Sequence, residues 1–235
     1  MECLMMSSLV KDKVQELGIS RLCHFTPSRN LPYMLEGRAG VLPTKLLAGD
    51  VRKVYNPTDL DRLDGHPESI CCSIEYPNAW YLSKAKGKEK LFSDWLVLLI
   101  SPHYLWQEGT LFCPRNAATQ YGRLLREGVD GFSWLYEDVV VGSYGKNFVR
   151  GATRISACPT DEQAEVLVKG KIPLEDIQGI CVVNETQAKN ELARIRINQQ
   201  VLDVPFYVAP DLFDKYELSR MIQAGERPRE ILFGE

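Results

Sequence analysis

The sequence predicts an α+β domain built on a split or two-sheet core. Many short aliphatic runs end at Gly or Pro, few segments have helical spacing, and no linker divides the chain. The 235 residues are 45% hydrophobic and 25% charged, which is typical of globular proteins. We therefore expect a single domain over residues 1–235, with residues 184–235 packed on it as a helix–strand–helix extension.

The first third of the chain alternates helix and strand patterns. Residues 8–17 have apolar side chains at helical spacing, and Gly18 can end that helix. Residues 19–26 alternate as a strand does, and residues 31–37 form a brief amphipathic helix. A polar, turn-rich loop follows over residues 41–64, and a loop of that length in a compact domain is usually functional or mobile.

The middle of the chain is dominated by strand patterns. Residues 69–77 read as a strand broken by Pro77, followed by adjacent aromatics at 80 and 81. Residues 84–90 form a basic loop that suits either a solvated turn or a phosphate contact. The fully apolar run 94–100 is typical of a central strand, 111–113 is another strand, and Asn116 can cap a helix.

The C-terminal half adds further short elements. The predicted strands are 165–168, 180–183 and 204–208, and Pro205 favours an edge position for the last. The predicted helical segments are a turn over 174–177, an exposed helix over 185–196, and a helix over 210–225.

Charge and cysteine usage exclude several function classes. A net charge of −3 produces no global positive field, so a nucleic-acid ligand would need a local basic patch. Seven cysteines without a CxxC pair, and three well-separated histidines, do not give zinc spacing. We expect no metal, reduced thiols and a cytoplasmic location, while a catalytic Cys–His pair stays open. The longest apolar run is too short to cross a bilayer, which predicts no membrane association.

The segment 158–173 carries the strongest candidate for chemistry. A polar approach leads into Val166–Val168, and Glu165 lies at the start of that run. A carboxylate at the lip of a buried strand is oriented by rigid backbone and can face a cleft. The same residue also fits an exposed edge carboxylate.

Polar residues near the N-terminus suggest a ligand site. Thr26 and nearby backbone can hold a planar amide, and His24 can donate a hydrogen bond to a sugar hydroxyl. His24 also fits a satisfied core histidine. Arg62 fits either a surface ion pair or a guanidinium that binds phosphate bidentately. Tyr81 or its neighbour can flank a flat ring, although core packing explains Trp80 equally well.

A basic and aromatic segment precedes the Glu165 stretch. Cations that meet phosphates and rings that stack on bases suit a single nucleic-acid strand, and a mobile basic loop is the alternative. Gln163 lies two residues before Glu165 and so faces the same side of an extended backbone, where it can bond a base edge. The segment's candidate residues are Tyr144, Lys146, Arg150 and Arg154.

Taken in order, several motifs resemble the DarT family of toxin-type ADP-ribosyltransferases, which modify bases of single-stranded DNA using NAD+. The resemblance covers most of residues 19–183, and its most specific part is the segment 163–168 followed by Pro173. The matching motifs are His24-Phe-Thr26 with Asn30-Leu31, Arg62 after a polar loop, the aromatic segment 73–81, Asn116-Ala-Ala, and Gln163-Ala-Glu165-Val-Leu-Val.

The resemblance implies an ADP-ribosyltransferase-like split two-sheet core with peripheral helices, and a role for each matching residue. Glu165 corresponds to the catalytic Glu and Arg62 to the essential Arg. Thr26 and Asn30 correspond to NAD+-binding positions, to which the residues themselves add His24, Arg62 and Tyr81. The candidate DNA-binding residues, which rest on the sequence pattern and not on the resemblance, are Tyr144, Lys146, Arg150, Arg154, Gln163 and Asn116. NAD+ is the substrate without a metal, and an ADP-ribosyl-glycohydrolase antitoxin is the implied partner.

Two positions depart from the family pattern, since some members have Arg at position 24 and some relatives have His at position 116. The chemistry itself is consistent with the residues, because an oxocarbenium-like transition state is stabilised by a nearby carboxylate. No glycine-rich dinucleotide fingerprint is present, which favours cleavage of NAD+ over hydride transfer. Transfer to RNA or protein, and a non-catalytic NAD+- or nucleic-acid-binding module, remain alternatives.

Overall fold

The computed structural model describes residues 2–47, 62–88, 93–142 and 145–234. The α-helices in these ranges are α1 Glu2–Glu16, α2 Leu31–Leu35, α3 Ala79–Lys88, α4 Gly128–Trp134, α5 Glu185–Ile197 and α6 Lys215–Ala224. The first six strands are β1 Leu22–Pro27, β2 Ser69–Ile74, β3 Trp95–Ile100, β4 Leu111–Cys113, β5 Arg126–Glu127 and β6 Val139–Val141. They are followed by β7 Asn147–Val149, β8 Glu165–Lys169, β9 Ile177–Val182, β10 Phe206–Val208 and β11 Ile231–Leu232.

Nine of these strands form one hydrogen-bonded sheet in the order β11-β10-β9-β3-β1-β2-β8-β4-β5, and β6 pairs with β7 as a separate ribbon. The pairing is antiparallel except between β9 and β10, which run parallel. Strands β3 and β8 supply much of the core, because their apolar side chains are almost all buried. The predicted α+β class with a split core is confirmed.

The split lies between β1 and β2. These strands pair only at Leu22 with Ile74 and at Cys23 with Ser73. Beyond that point β1 continues beside β3 as far as Pro27, while β2 continues beside β8. The sheet therefore opens between two strands that are each held firmly on their other side, which produces a cleft with rigid walls.

Buried polar contacts hold the closed end of the split. Glu75 adopts a left-handed φ of 65° just after β2, and its carboxylate accepts from the backbone and hydroxyl of Ser20. Arg21 donates Nε to the carbonyl of Glu75 over 2.8 Å and forms an ion pair with Glu230. These contacts tie the chain before β1 to the chain after β2, so the two strands diverge from a fixed point.

The segment after β2 differs from its prediction. Residues 69–77 were expected to be strand and residues 84–90 a loop, but β2 ends at Ile74 and Ala79–Lys88 is helical. Asn78 begins the helix by accepting from the backbone N–H of Tyr81 over 2.9 Å, which is a capping interaction. Because of this helix, Lys84 and Lys88 project from a rigid element.

Two other expectations need correction. Asn116 does not start an α-helix, because its side chain bonds across the fold and the 3₁₀ turn Thr119–Gly122 contains non-helical residues. Strand β10 is not at the sheet edge, since β11 pairs with its outer side. The sequence reading also missed α4 and the strands β5, β6, β7 and β11, which are all short. Within the described ranges, no helix has both the length and the apolar character needed to span a bilayer.

Candidate active site

A cavity of about 380 Å³ fills the split between β1 and β2. Its walls come from both strands, from α3, and from the chain before β8. The structure thus brings together residues that are far apart in sequence. The predicted site residues that line this cavity are His24, Thr26, Asn30, Arg62, Tyr81, Asn116, Gln163 and Glu165.

Glu165 begins β8, where it pairs with Cys113 of β4. It is only 7% exposed. Its Oε1 accepts from the side-chain amide of Asn116 over 2.7 Å, and its Oε2 accepts from the backbone N–H of Ala117 over 2.8 Å. Both carboxylate oxygens are therefore oriented by the turn after β4. Asn116 was predicted to contact nucleic acid, but in the structure its amide is engaged by Glu165.

Arg62 lies in the cavity wall with a left-handed φ of 40°. Its guanidinium donates to the carboxylate of Asp64 over 3.1 Å and to the carbonyl of Ser69 over 2.6 Å. It also donates to the carbonyl of His66. Asp64 was not singled out in the sequence. Its side chain is almost completely buried, and its negative charge balances the positive charge of Arg62. This set of contacts fixes the guanidinium plane at the start of β2.

His24 bridges the split through its ring. Its Nδ1 bonds the carbonyl of Cys71 over 2.8 Å, so Nδ1 carries the proton in the neutral ring. Burial lowers the pKa of His24, with a further contribution from the Arg62 charge. The neutral ring has Nε2 as an acceptor, so His24 would accept from a sugar hydroxyl. This corrects the expectation that it donates.

Two buried asparagines line the cavity with one unpaired amide atom each. Asn30 donates Nδ2 to the hydroxyl of Thr26 over 2.9 Å, and its Oδ1 has no hydrogen-bond partner among the described residues. Asn78 caps α3 through Oδ1, and its Nδ2 likewise lacks a partner in that part of the chain. Unpaired buried polar atoms are costly. An acceptor and a donor in one cavity match the donor and acceptor of a primary amide.

An aromatic and basic wall completes the cavity. Phe25 and Tyr81 both line it, with ring centroids 5.9 Å apart and planes at 59°. The Nζ of Lys84 lies 5.9 Å from the Tyr81 ring centroid. Lys84 and Lys88 both line the cavity and carry positive charge beside the aromatic rings. The wall thus offers two aromatic faces and two ammonium groups.

A tight turn places Gln163 and Glu165 side by side in the wall. The carboxylate of Asp161 accepts from the backbone N–H of Gln163 over 2.9 Å. Asp161 also faces Arg115 over 3.5 Å, and burial raises the pKa of the Asp161 carboxyl. Arg115 directly precedes Asn116 in sequence. This ion pair therefore ties the turn before Glu165 to the turn that bonds its carboxylate.

The described residues of the predicted DNA-contact segment, Lys146, Arg150 and Arg154, do not line the cavity. Tyr144 lies outside the described residues. Lys146 is exposed, and its Nζ lies 4.8 Å from the ring centroid of Phe148. Arg150 donates to the carbonyls of Cys158 and Ser156, which links the ribbon to the loop before β8. Lys146 thus remains available to a ligand, whereas the guanidinium of Arg150 already bonds two backbone carbonyls of the loop before β8.

Arg154 does not fit a role as a phosphate contact. The residue is only 9% exposed, and its Nε donates to the carbonyl of Pro159 over 2.8 Å. Its Nη1 lies 3.5 Å from Glu162, which also accepts from the indole N–H of Trp80. A guanidinium enclosed in this way braces the loop before Glu165 instead of reaching a DNA backbone.

The sequence reading missed three kinds of site residue. Asp64 was read only as one of several acids in a polar loop. Asn78 follows a Pro and resembles an ordinary turn residue. The signal that could have identified it is the preference for Asn at the N-terminal cap of a helix. Lys84 and Lys88 were noted as basic but placed in a loop. No cluster of three or more potential metal ligands occurs among the residues that the structure describes.

Comparison with known proteins points to one family. A family model described as "DarT: ssDNA thymidine ADP-ribosyltransferase" matches residues 23–214. No curated protein matches the chain. The family match spans the cavity, all of its predicted residues, and most of the sheet.

Solved structures with the same fold carry related descriptions. "Thermus sp. 2.9 DarT in complex with NAD+" is 16% identical, with a TM-score of 0.57, over 83% of this chain and 98% of that chain. The same Thermus protein with carba-NAD+ has a TM-score of 0.56 at 16% identity and the same coverage. "Thermosipho africanus DarTG in complex with ADP-ribose" is 15% identical, with a TM-score of 0.57, over 83% of this chain and 51% of that chain.

Proposed function

The chain belongs to the DarT family of single-stranded-DNA thymidine ADP-ribosyltransferases, and from that premise we propose how its own residues carry out the transfer. The enzyme transfers ADP-ribose from NAD+ to a base of single-stranded DNA. We place NAD+ in the cavity of the split sheet, with Glu165 as the catalytic carboxylate. One observation supports this assignment above the others: Glu165, His24 and Thr26 line one cavity.

The reaction breaks the bond between the nicotinamide nitrogen and the ribose carbon. The electron pair of that bond leaves with nicotinamide, which becomes neutral, and positive charge develops on the ribose. A preoriented carboxylate near the sugar stabilises that charge, an effect worth about 3–4 kcal/mol for one well-placed group. The two donors that hold Glu165 fix the carboxylate before the substrate binds.

The second half of the reaction joins the ribose carbon to a base nitrogen. In thymidine, N3 is the ring nitrogen that carries a proton, and that proton must leave as the new bond forms. Glu165 can accept it as a general base and release it to water. We therefore propose thymidine as the target of this chain, in line with the description of its family.

The nicotinamide end of NAD+ fits the amide and aromatic wall. The carboxamide can donate to Oδ1 of Asn30 and accept from Nδ2 of Asn78 once these side chains turn towards the cavity, because both atoms are enclosed in the ligand-free protein. The flat ring fits beside Phe25 and Tyr81. Thr26 holds the Asn30 amide in place through its hydroxyl. Asn78 thereby joins the NAD+-binding residues proposed from the sequence.

The sugar and phosphate groups fit the remaining residues. Nε2 of His24 can accept from a ribose hydroxyl, since its Nδ1 proton is already used by Cys71. Arg62 keeps its proposed contact with the pyrophosphate, although Asp64 offsets part of its charge. Lys84 and Lys88 supply further positive charge on the same cavity. Mobile ammonium groups can follow the phosphates as NAD+ enters.

The DNA strand must approach the ribose from the Glu165 side. Gln163 lines the cavity beside that carboxylate and can bond the edge of the target base. Lys146 and Arg150 remain proposed phosphate contacts outside the cavity. Arg154 is withdrawn from this group because of its burial.

A transfer assay with mass detection tests the function. The protein is incubated with NAD+ and with single-stranded oligonucleotides that differ only in whether one position is thymidine, cytidine, adenosine or guanosine. We expect a mass gain of one ADP-ribose on the thymidine oligonucleotide, and no gain with Glu165→Gln. Transfer to RNA or protein alone would contradict the DNA assignment. NAD+ binding without nicotinamide release would instead indicate a non-catalytic module.

A partner that reverses the modification follows from the toxin-type reaction. The Thermosipho protein DarTG was solved with ADP-ribose. We propose an antitoxin with ADP-ribosyl-glycohydrolase activity as the partner of this chain, and a cytoplasmic location for both. Loss of growth on expression, reversed by such a hydrolase, would support the pairing.

A further inference from the structure

The turn between Asn116 and Gly122 contains two consecutive residues in the left-handed region. Gln120 and Tyr121 both have a φ of 57°. Residues other than Gly rarely adopt this backbone conformation, and it persists only where the surrounding structure enforces it. A large aromatic residue at such a position indicates that something other than backbone preference retains it.

Both ends of the turn are anchored at the active site. At its start, Asn116 and Ala117 donate to the carboxylate of Glu165. At its end, a Cβ on Gly122 would lie 2.3 Å from the carbonyl oxygen of Asp64, so the chain passes directly against the segment that carries Arg62. The catalytic machinery therefore fixes the conformation of the turn.

The side chain of Tyr121 projects from the apex of this turn into solvent and is 75% exposed. Within the described ranges, no hydrogen bond or ring contact engages its phenol. The two residues that precede the apex pair, Ala118 and Thr119, line the cavity. Tyr121 thus presents an open aromatic face beside the cavity, on the same turn that bonds Glu165.

We propose that Tyr121 stacks on a base of the single-stranded DNA next to the target thymidine. This rests on the proposed function, because it requires a DNA strand at the cavity. Unpaired bases expose their π-faces, and an aromatic side chain on rigid backbone can hold one of them without reading its identity. Holding the neighbouring base would place the target base over the ribose carbon beside Glu165.

Substitutions at Tyr121 separate stacking from backbone strain. Tyr121→Ala removes the ring but keeps the left-handed backbone, whereas Tyr121→Gly removes both the ring and the strain. We expect KM for a thymidine oligonucleotide to rise about 5- to 150-fold in both variants, the range given by loss of one stacked base. Tyr121→Phe retains the ring and should keep a KM near that of the wild type.

Two further readouts distinguish this role from a structural one. KM for NAD+ should stay within about twofold of the wild type in every variant, because Tyr121 does not line the cavity. The melting temperature of Tyr121→Gly should equal or exceed that of the wild type, since its backbone strain is relieved. Ile197→Ala, at an exposed position on α5, is the matched surface control. It should change neither KM for NAD+ nor KM for the oligonucleotide.

Oligonucleotides with a single abasic site identify the stacked nucleotide. An abasic site at one neighbour of the thymidine should raise the wild-type KM by the same factor as Tyr121→Ala. Combined with Tyr121→Ala, it should raise KM no further, because both changes remove one interaction.

The outcomes separate this inference from the proposed function. Wild-type protein that modifies no oligonucleotide overturns both. Wild-type transfer with an unchanged oligonucleotide KM in Tyr121→Ala overturns the stacking alone. Fully additive effects of the variant and every abasic site, or a rise in KM for NAD+ instead of DNA, also overturn it.

Discussion

The side-chain amide of Asn116 donates to Oε1 of Glu165 over 2.7 Å, and the next backbone N–H, that of Ala117, donates to Oε2 over 2.8 Å. One turn therefore holds both oxygens of the proposed catalytic carboxylate. The turn follows β4, which pairs directly with β8, so the donors and the acceptor are carried by neighbouring strands. This arrangement orients the carboxylate without using any group from the substrate.

Asn116→Ala tests this arrangement. We expect kcat for ADP-ribose transfer to fall about 10- to 100-fold, because a hydrogen bond to a charged group is worth about 1.5–3 kcal/mol. NAD+ affinity should change little, since the backbone donor at Ala117 remains. The measurement is single-turnover transfer to an oligonucleotide, with NAD+ binding followed by calorimetry. Gln120→Ala, in the same turn but exposed, should keep the wild-type rate, and an equal loss in both variants would contradict the prediction.

Arg62→Met tests the Arg62–Asp64 pair. The substitution leaves the buried Asp64 carboxylate without its guanidinium, and breaking a buried pair in this way costs about 3–5 kcal/mol. Urea unfolding should show a lower midpoint with an unchanged slope. Adding Asp64→Asn to that variant should recover part of the loss, because the unpaired charge is removed. A midpoint that is identical in the wild type and in Arg62→Met would exclude a structural role for the pair.

Arg154→Met tests whether this residue braces the fold or contacts DNA. Its guanidinium is enclosed by the Pro159 carbonyl and the Glu162 carboxylate. We expect the free energy of unfolding to fall by about 3–5 kcal/mol, as for other broken buried pairs. The oligonucleotide KM of the folded fraction should remain within about twofold of wild type, because a buried group does not contact DNA phosphates. Lys146→Ala is the matched comparison. We expect it to raise the oligonucleotide KM and to leave the free energy of unfolding unchanged.

His24→Gln tests the half-buried neutral histidine. Burial holds the folded-state pKa of His24 below its ordinary value of 6.5. Below pH 6.5 the unfolded chain therefore binds a proton that the folded protein does not, and the free energy of unfolding falls as the pH falls towards the folded-state pKa. Thermal melts between about pH 7.5 and 5.5 should show a smaller acid-induced loss in the variant than in the wild type. Parallel pH profiles for the two proteins would contradict this account.

The sequence alone determined the elements whose signal is local. The apolar run that became β3 is typical of a buried strand in its length and its Ser-Pro end, and the run after Glu165 predicted β8 in the same way. The ordered motifs from His24 to Glu165 identified the family and residues that line the cavity. The order of motifs along a chain can be recognised without knowing how the chain folds.

The tertiary structure decided which groups meet. The opening of the sheet between β1 and β2 depends on pairings between distant segments, and no periodicity along the chain reports where such pairings stop. For the same reason, the partners of Arg62 and Arg154, and the turn that gives Asn116 to Glu165, could not be predicted. Local patterns specify strands and helices, whereas the contacts of a charged or amide side chain are chosen by the residues that folding brings beside it.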